Sequence, residues 1–361
     1  MKFNHNMLKL ARYARKMTQS ALAKELGVKS AFISQIEAGL VSVPEKMLPK
    51  FVEILDFPLS FFEQETTFLE GCSKLYRAQK TLKNIDRDYI DTYASFYNRH
   101  LTKMLQSDLF DLDEFDIPEI RPDLNKSPEQ IAELLREYWN IPRGVISNLT
   151  SILEDKGIFV IPISIQKEGF DATFYVNEKR DFALILINSA VPPDRYRFNL
   201  AHELGHLIMH RLPNPDCENE ANAFASAFLM PRKDIFEDLT GICFWDLMPL
   251  KEKWKVSMQA IARRAKDLRK INSKQYEHIF KLINYHGYRK QEPLCGVTKE
   301  KPIMLKYVLN YYFRELGYSK EQLCEFLNIN KKDYNKMYGL LLGDYIEDKS
   351  KKKTHLTIVK D

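Results

Sequence analysis

The sequence His-Glu-Leu-Gly-His at residues 202–206 restricts what this chain can fold into more than any other stretch. In an α-helix His202 and His206 lie one turn apart on the same face, so both imidazoles can reach one zinc ion, and Glu203 can reach a water molecule on it. Gly205 costs a helix roughly 1 kcal/mol, and its missing side chain would let backbone or substrate approach closely. A helix is supported by an apolar stripe made of Leu200, Leu204, Leu207 and Ile208.

A third ligand is needed, because a buried helix with two hydrogen-bonded histidines has the same five-residue pattern. The next predicted helix, residues 218–229, offers Glu218, and Asn222 one turn further on can orient a ligating histidine. Glu220 and Cys217 are the rival ligands, and Glu218 is preferred over both. A cysteine thiolate together with two histidines would quench the open coordination position that catalysis needs.

The group that would stabilise an oxyanion stays open at this point. His210 lies two turns past His202, too far for the same metal ion, and is expected to contact either substrate or a ligand. Tyr175, Tyr196 and Arg195 are the other candidates for the oxyanion partner. An extended substrate could add to strand 182–188 or to strand 172–176.

Composition indicates a globular protein of two or three domains that does not enter a membrane. The 361 residues include no apolar run near the ~20 residues that span a bilayer, and no signal peptide precedes the first helix. The five cysteines are scattered and odd in number, which is typical of free thiols in the reducing cytoplasm. A net charge of +5 is compatible with nucleic acid but does not by itself indicate it.

The first 65 residues read as short helices separated by tight turns. Helices are predicted at 7–16, 19–26 and 30–37, with Thr18 capping the second helix and Gly27 in a left-handed turn. Two helices joined by such a turn form a helix-turn-helix.

The turn, core and capping residues at 18–23, 26–28 and 33–39 resemble the XRE/Cro family of phage and bacterial repressors. That resemblance implies that the third helix enters the major groove, and that Arg12 pairs with Glu37 to tie the first helix to the end of the third. It also implies contacts to bases and phosphates. The expected base contacts are Ser30, Ala31, Phe32 and Gln35, and the expected phosphate contacts are Gln19 and Lys29. The alternative is a helical protein–protein module without DNA binding.

Residues 66–125 are predicted to be a helical connector, whose long helix at 84–106 carries an aromatic stripe suited to a core or a dimer seam. Residues 126–250 read as helices followed by strands at 158–163, 172–176 and 182–188, and then by the metal-binding helices.

The residues at 197–207, 218–225 and 228–231 resemble the ImmA/IrrE family of metallopeptidases, and the resemblance extends over 127–160 and 256–268. Phe228 and Asn222 are small departures from the family's pattern. The resemblance implies a zincin-like cytoplasmic protease that cuts DNA-binding repressors, with zinc on His202, His206 and Glu218, and with Glu203 as the catalytic base.

The chain from 251 to 345 is predicted to be helical, and the tail at 346–361 to be basic and solubilising. A capping box at 319–322 opens a second helix-turn-helix-like pair whose register matches the first. Ser319 corresponds to Thr18, and Asn328 to Gly27. This second pair could read DNA, form a dimer or mask the zinc site, and its role stays open. We expect it to pack against the peptidase domain.

These observations predict an α+β, mostly helical chain. Its segments are an all-helical helix-turn-helix domain (1–65), the connector (66–125), a zincin-like metallopeptidase domain with a small sheet (126–250), a helical C-terminal region (251–345) and the tail (346–361). The predicted function is that of a DNA-binding transcriptional regulator, a homodimer on a double-stranded operator, which uses Zn²⁺ to cleave a repressor or itself. The alternative is an XRE-type regulator or antitoxin-like protein whose zinc domain senses or scaffolds.

Overall fold

The computed structural model describes residues 3–65, 83–105, 111–112, 115, 117–120, 126–165, 169–210, 214–293, 296–342 and 356–357. The fold is mostly helical with a small sheet, as the sequence predicts. The chain forms two compact units. The first contains Met1–Phe115, Tyr175–Leu184 and Ile303–Asp361, and the second contains Asp116–Phe174 and Ile185–Pro302.

The secondary-structure elements are numbered along the chain. The helices are α1 (His5–Ala14), α2 (Gln19–Leu26), α3 (Ser30–Glu37), α4 (Leu48–Leu55), α5 (Asn84–Leu105), α6 (Pro128–Tyr138), α7 (Leu149–Glu154), α8 (Pro193–Met209), α9 (Cys217–Leu229), α10 (Arg232–Ile235), α11 (Leu247–Trp254), α12 (Met258–Asp267), α13 (Ser273–Tyr285), α14 (Met304–Arg314), α15 (Lys320–Leu327) and α16 (Lys331–Leu342). The strands are β1 (Asp111–Leu112), β2 (Ile158–Ile163), β3 (Ala172–Val176), β4 (Ala183–Asn188) and β5 (Leu356–Thr357).

The first three helices form the helix-turn-helix that the sequence predicts. The Thr18 hydroxyl accepts from the Ala21 N–H at 3.1 Å, which caps α2, and Gly27 has a φ of 70°, which turns the chain into α3. The expected pair is confirmed: Arg12 donates through two nitrogens to the Glu37 carboxylate at 2.6 and 2.7 Å. Both side chains are buried, so this two-pronged pair holds α1 against the end of α3.

The aromatic stripe of α5 lies in the core of the first unit. Phe96 and Tyr97 are buried, and the Tyr97 hydroxyl donates to the Met337 carbonyl at 2.7 Å. His100 Nδ1 lies 2.7 Å from the Tyr338 hydroxyl. Helix α5 therefore packs against α16, which explains why one face of it is so rich in aromatic residues.

The second helix-turn-helix-like pair, α15 and α16, lies in the first unit, where it contacts the first helix-turn-helix domain. Arg15, at the end of α1, donates to both oxygens of Asp333 at 2.8 and 2.7 Å. Asn330 donates to the Asp56 carbonyl. These contacts join residues more than 270 positions apart, which no local pattern could reveal.

The second unit contains β2, residues 172–174 of β3, residues 185–188 of β4 and the helices from α6 to α13. The strand order in this three-stranded sheet is β2-β4-β3. Strands β2 and β3 have the predicted bounds, and β4 begins one residue later than predicted. All six residues of β4 are buried. Within the part of the chain that the structure describes, no helix has the length and apolarity to cross a membrane.

The predicted basic tail at 346–361 lies outside the described residues except for β5. Strand β5 pairs antiparallel with β1, placing Thr357 opposite Asp111 and Leu356 opposite Leu112.

Replacing Asp333 should test the contact that holds α16 to α1. Asp333→Asn leaves the half-buried Arg15 guanidinium without its buried carboxylate, so we expect a loss of about 3 kcal/mol in the free energy of unfolding, measured by denaturant titration. Glu321→Gln is the control, because the ion pair of Glu321 with Lys331 is exposed and should contribute no measurable stability. Equal stability of Asp333→Asn and wild type would contradict the prediction.

Candidate metal centre and nucleic-acid interface

Helix α8 carries the two motif histidines toward its C-terminal end. Their Nε2 atoms lie 3.0 Å apart, as expected for residues on successive turns of one face. His206 is buried, and the side chain of His202 is 15% exposed, so the pair opens toward solvent on one side.

Helix α9 packs across α8 at Gly205. A Cβ atom at this position would lie 2.9 Å from Cδ1 of Phe224, closer than side chains pack. The missing side chain therefore admits the Phe224 ring and lets the two helices approach, whereas the sequence predicted a close approach of backbone or substrate. This close packing brings the N-terminal turn of α9 to the histidines.

Glu218, in that turn of α9, completes a cluster of three possible ligands. Its two oxygens lie 3.5 Å from the Nε2 atoms of His202 and of His206, and the three ligand atoms all lie within 4.8 Å of one another. Two donors bound to zinc at about 2.0–2.1 Å with tetrahedral angles stand about 3.3 Å apart. The spacing and donor types therefore fit zinc.

Hydrogen bonds at Nδ1 of His202 and of His206 fix the two rings so that each Nε2 atom points toward the other ligand atoms. His202 Nδ1 lies 3.1 Å from the Asn222 amide oxygen, which can only accept. His206 Nδ1 lies 2.9 Å from His210 Nδ1, and His210 Nε2 lies 2.8 Å from Glu220. Protons on Nδ1 of His202 and of His206 leave the Nε2 lone pairs for a metal ion, the arrangement usual for ligating histidines.

The contact of His210 with the possible ligand His206 is one of the two expected from the sequence, whereas its second contact, with Glu220, was missed. The sequence does indicate that His206 and His210 are neighbours, because His210 follows His206 by one helical turn. Glu220, considered only as a rival ligand, instead binds His210. The other rival, Cys217, is buried and accepts from the Asn214 N–H through its sulfur.

Burial and neighbouring charges give the acidic and basic groups different protonation behaviour. Hydrogen bonds from His202 and His206 hold the pKa of the Glu218 carboxyl well below its usual range. Burial lowers the pKa of His206 to about 4, so this ring is neutral at pH 7. Burial raises the pKa of Glu203 to about 7, opposed by the charge of His202. A carboxyl with a pKa near neutrality suits a group that both takes and gives a proton.

The oxyanion candidates lie in several places. His210 uses both ring nitrogens in the contacts to His206 and Glu220. Arg195 pairs with Asp171 at 2.5 Å, and the Tyr175 hydroxyl donates to Asp91 at 2.6 Å. Tyr196 is buried. No one of the four is favoured by these contacts.

A cavity of about 880 Å³ in the second unit is lined in part by Asn222, the hydrogen-bond partner of His202. It runs between α8 and α9 toward α12 and α13, and Phe198, Tyr276 and Phe280 form apolar parts of its wall. Its lining includes Ser226, whose buried hydroxyl has no protein partner in the described part of the chain. A cavity of this size can accept side chains of a bound peptide or a small molecule.

The six predicted DNA contacts lie in α2, α3 and the turn between them. Lys29, Ala31 and Gln35 are exposed, and Ser30 and Phe32 are half-buried. The Gln19 amide donates to Glu37 at 2.8 Å, which extends the Arg12 pair. This bond uses one of the two hydrogens of the amide nitrogen.

Two features therefore define the class of this protein: a helix-turn-helix in one unit and a helix-borne cluster of two histidines and a glutamate in the other. Comparison with known families agrees with both. Residues 8–62 match the family described as helix-turn-helix, and residues 153–266 match the family described as IrrE N-terminal-like domain. Among curated proteins, no relative matches. The chain joins an XRE-type helix-turn-helix DNA-binding domain to an ImmA/IrrE-like peptidase domain, in that order, which confirms both resemblances.

Gly205→Ala should destabilise the fold by roughly 1–3 kcal/mol, because the added methyl group overlaps the Phe224 ring. The loss should be smaller in a Phe224→Leu background, which a double-mutant cycle on the free energy of unfolding measures. Gly339→Ala in α16 is the control, since a Cβ atom there meets nothing within 4 Å and should not destabilise. Equal losses from Gly205→Ala in both backgrounds would exclude the contact as the cause.

Glu203→Gln should stabilise the metal-free protein at high pH. The folded pKa of Glu203, about 7, lies above the unfolded value of about 4.3, so the stability linked to its proton is present below about pH 4 and is lost as the pH rises through about 7. Glutamine is neutral at every pH. In EDTA the variant should gain at most about 4 kcal/mol at pH 8.5 and little at pH 4.5, measured by thermal unfolding. The same gain at both values would contradict the assignment.

Proposed function

We propose that this protein is a DNA-binding transcriptional regulator with a zinc-dependent endopeptidase, which cleaves a repressor-type regulator or itself. The observation that carries the proposal is the cluster of His202, His206 and Glu218 beside the buried Glu203. A sensor or scaffold needs the ligands but does not need a carboxyl with a pKa near neutrality at that position.

His202, His206 and Glu218 would hold the ion, and Asn222 would keep the His202 ring in the ligating orientation. Zinc bound there would lower the pKa of a water molecule and polarise the carbonyl of the scissile peptide bond. Glu203 takes the proton of the attacking water and later gives it to the departing amine. The backbone N–H of Phe174 donates to the Glu203 carboxyl and holds it in place for both transfers.

The helix-turn-helix would direct the chain to a double-stranded operator. In this proposal Ser30, Ala31, Phe32 and Gln35 face base edges, and Gln35 can bind adenine through two hydrogen bonds. A homodimer would place two reading helices on an operator with two-fold symmetry. A DNA reader in the same chain also narrows the expected substrate to a protein that occupies or regulates the same site.

Cleavage should depend on Glu203 and not only on the metal ligands. We expect zinc-loaded wild-type protein to cut a repressor-type regulator, or itself, and Glu203→Gln to slow cutting by about 10²–10⁴-fold while it retains one zinc per chain. Fragments are followed by mass spectrometry, and zinc by atomic absorption.

His202→Ala serves as the matched variant, because it should lose both zinc and cleavage. Unchanged regulation of the operator by zinc-loaded Glu203→Gln, with no fragment from wild type, would instead identify the zinc domain as a sensor or scaffold.

A further inference from the structure

The C-terminal three helices of the first unit repeat the N-terminal three. A constant offset that places Thr18 on Ser319 also places Gly27 on Asn328. Both hydroxyls cap the N-terminus of the following helix, and both turn residues are left-handed, with φ values of 70° and 56°. The same offset brings the buried residues of α1 onto buried residues of α14. The pairs are Met7 and Val308, Leu8 and Leu309, Leu10 and Tyr311, and Ala11 and Tyr312.

The second copy carries lysine at four positions where the first copy carries uncharged residues. The offset brings the predicted DNA contacts Gln19, Ser30, Ala31 and Gln35 onto Lys320, Lys331, Lys332 and Lys336. We call these four residues the lysine face. Lys331 and Lys332 have side chains that are 62% and 81% exposed, Lys336 is exposed, and Lys320 is half-buried.

The contacts of the lysine face within the first unit are weak ones. Lys331 lies 2.7 Å from Glu321, and Lys332 lies 3.6 Å from Asp56, and both pairs are open to solvent. Lys336 lies over the rings of Tyr89 and Tyr93. Exposed ion pairs contribute little stability, so a phosphate can replace a carboxylate at small cost.

Asp333, which follows Lys332 in α16, anchors this helix to the first helix-turn-helix. Asp333, which corresponds to Phe32, is buried and paired with Arg15. Arg15 stands three residues before Thr18, the cap of α2. The second copy is therefore held at the end of α1 that leads into the DNA-reading pair, within the same compact unit.

The first copy is short of the charges that bind DNA. Neutralising phosphates with lysine and arginine supplies most of non-specific affinity. Among its predicted contacts only Lys29 is charged. We infer that the lysine face binds the phosphate backbone of the duplex that α3 reads, so that one copy supplies sequence readout and the other supplies affinity. This inference rests on the proposed DNA binding.

The test compares full-length wild type with the triple variant Lys331→Gln, Lys332→Gln and Lys336→Gln. Binding to a 30-base-pair duplex of random sequence is followed by fluorescence anisotropy over a range of KCl concentrations. The slope of log affinity against log salt should fall by about 2 to 3, and affinity near 0.1 M salt by about tenfold or more. A triple variant with arginine at the same positions keeps the charges and should keep the slope.

The matched control removes three exposed lysines of the second unit, through Lys274→Gln, Lys281→Gln and Lys290→Gln, and should leave the slope unchanged. An equal fall in the control would assign the effect to net charge and overturn the inference. An unchanged slope in the lysine-face variant, with wild type binding DNA, would also overturn it but leave the proposed DNA reading intact. If wild type binds no duplex, both fail. Thermal unfolding of each variant checks that the fold is kept.

Discussion

The close approach of α8 and α9 at Gly205 is the contact on which the candidate metal centre depends. A helix can present His202 and His206 by its own geometry, but it cannot supply a third ligand to itself at the same point. The ring of Phe224 occupies the space that a side chain at position 205 would take, and this sets the distance between the two helices. Glu218 reaches the histidines only because that distance is short.

Around this contact, one helix pair gives two glutamates opposite protonation behaviour. Glu218 faces two imidazoles, which hold the pKa of its carboxyl well below the usual range. Glu203 lies one residue from His202 but is buried, and burial raises its pKa to about 7. Pairs of carboxyls with pKa values driven apart by their surroundings commonly divide binding and proton transfer between them. Here the ionised member suits a cation and the other member suits a proton.

The first unit shows the same three-helix pattern used twice with different surfaces. The core positions are apolar in both copies, because each copy buries the corresponding faces of its three helices. The residues that join the first helix to the third differ between the copies. Arg12 and Glu37 of the first copy correspond to Phe313 and Tyr338 of the second. Tyr338 is buried against His100 of α5. The second copy thus exchanges an internal ion pair for aromatic packing.

Much of the local structure could be predicted from the sequence. The bounds of α2, α3, β2 and β3 were predicted to the residue, because capping hydroxyls, a left-handed glycine and β-branched runs act over a few residues. The metal motif was equally visible, since its spacing is a property of one helix. The sequence offered Glu218 as the third ligand only by a choice among rivals on the next helix, and the structure brings its carboxylate to the two histidines.

The sequence by itself therefore determined the elements, the two family-like segments and the residue types that could bind a metal ion. Only the tertiary structure decided that α16 packs on α5, that Glu220 binds His210 and that Gly205 makes room for Phe224. The physical reason is the separation along the chain over which each interaction acts. Hydrogen-bond periodicity and capping are local, whereas those contacts join residues from ten to several hundred positions apart and exist only once the helices have packed.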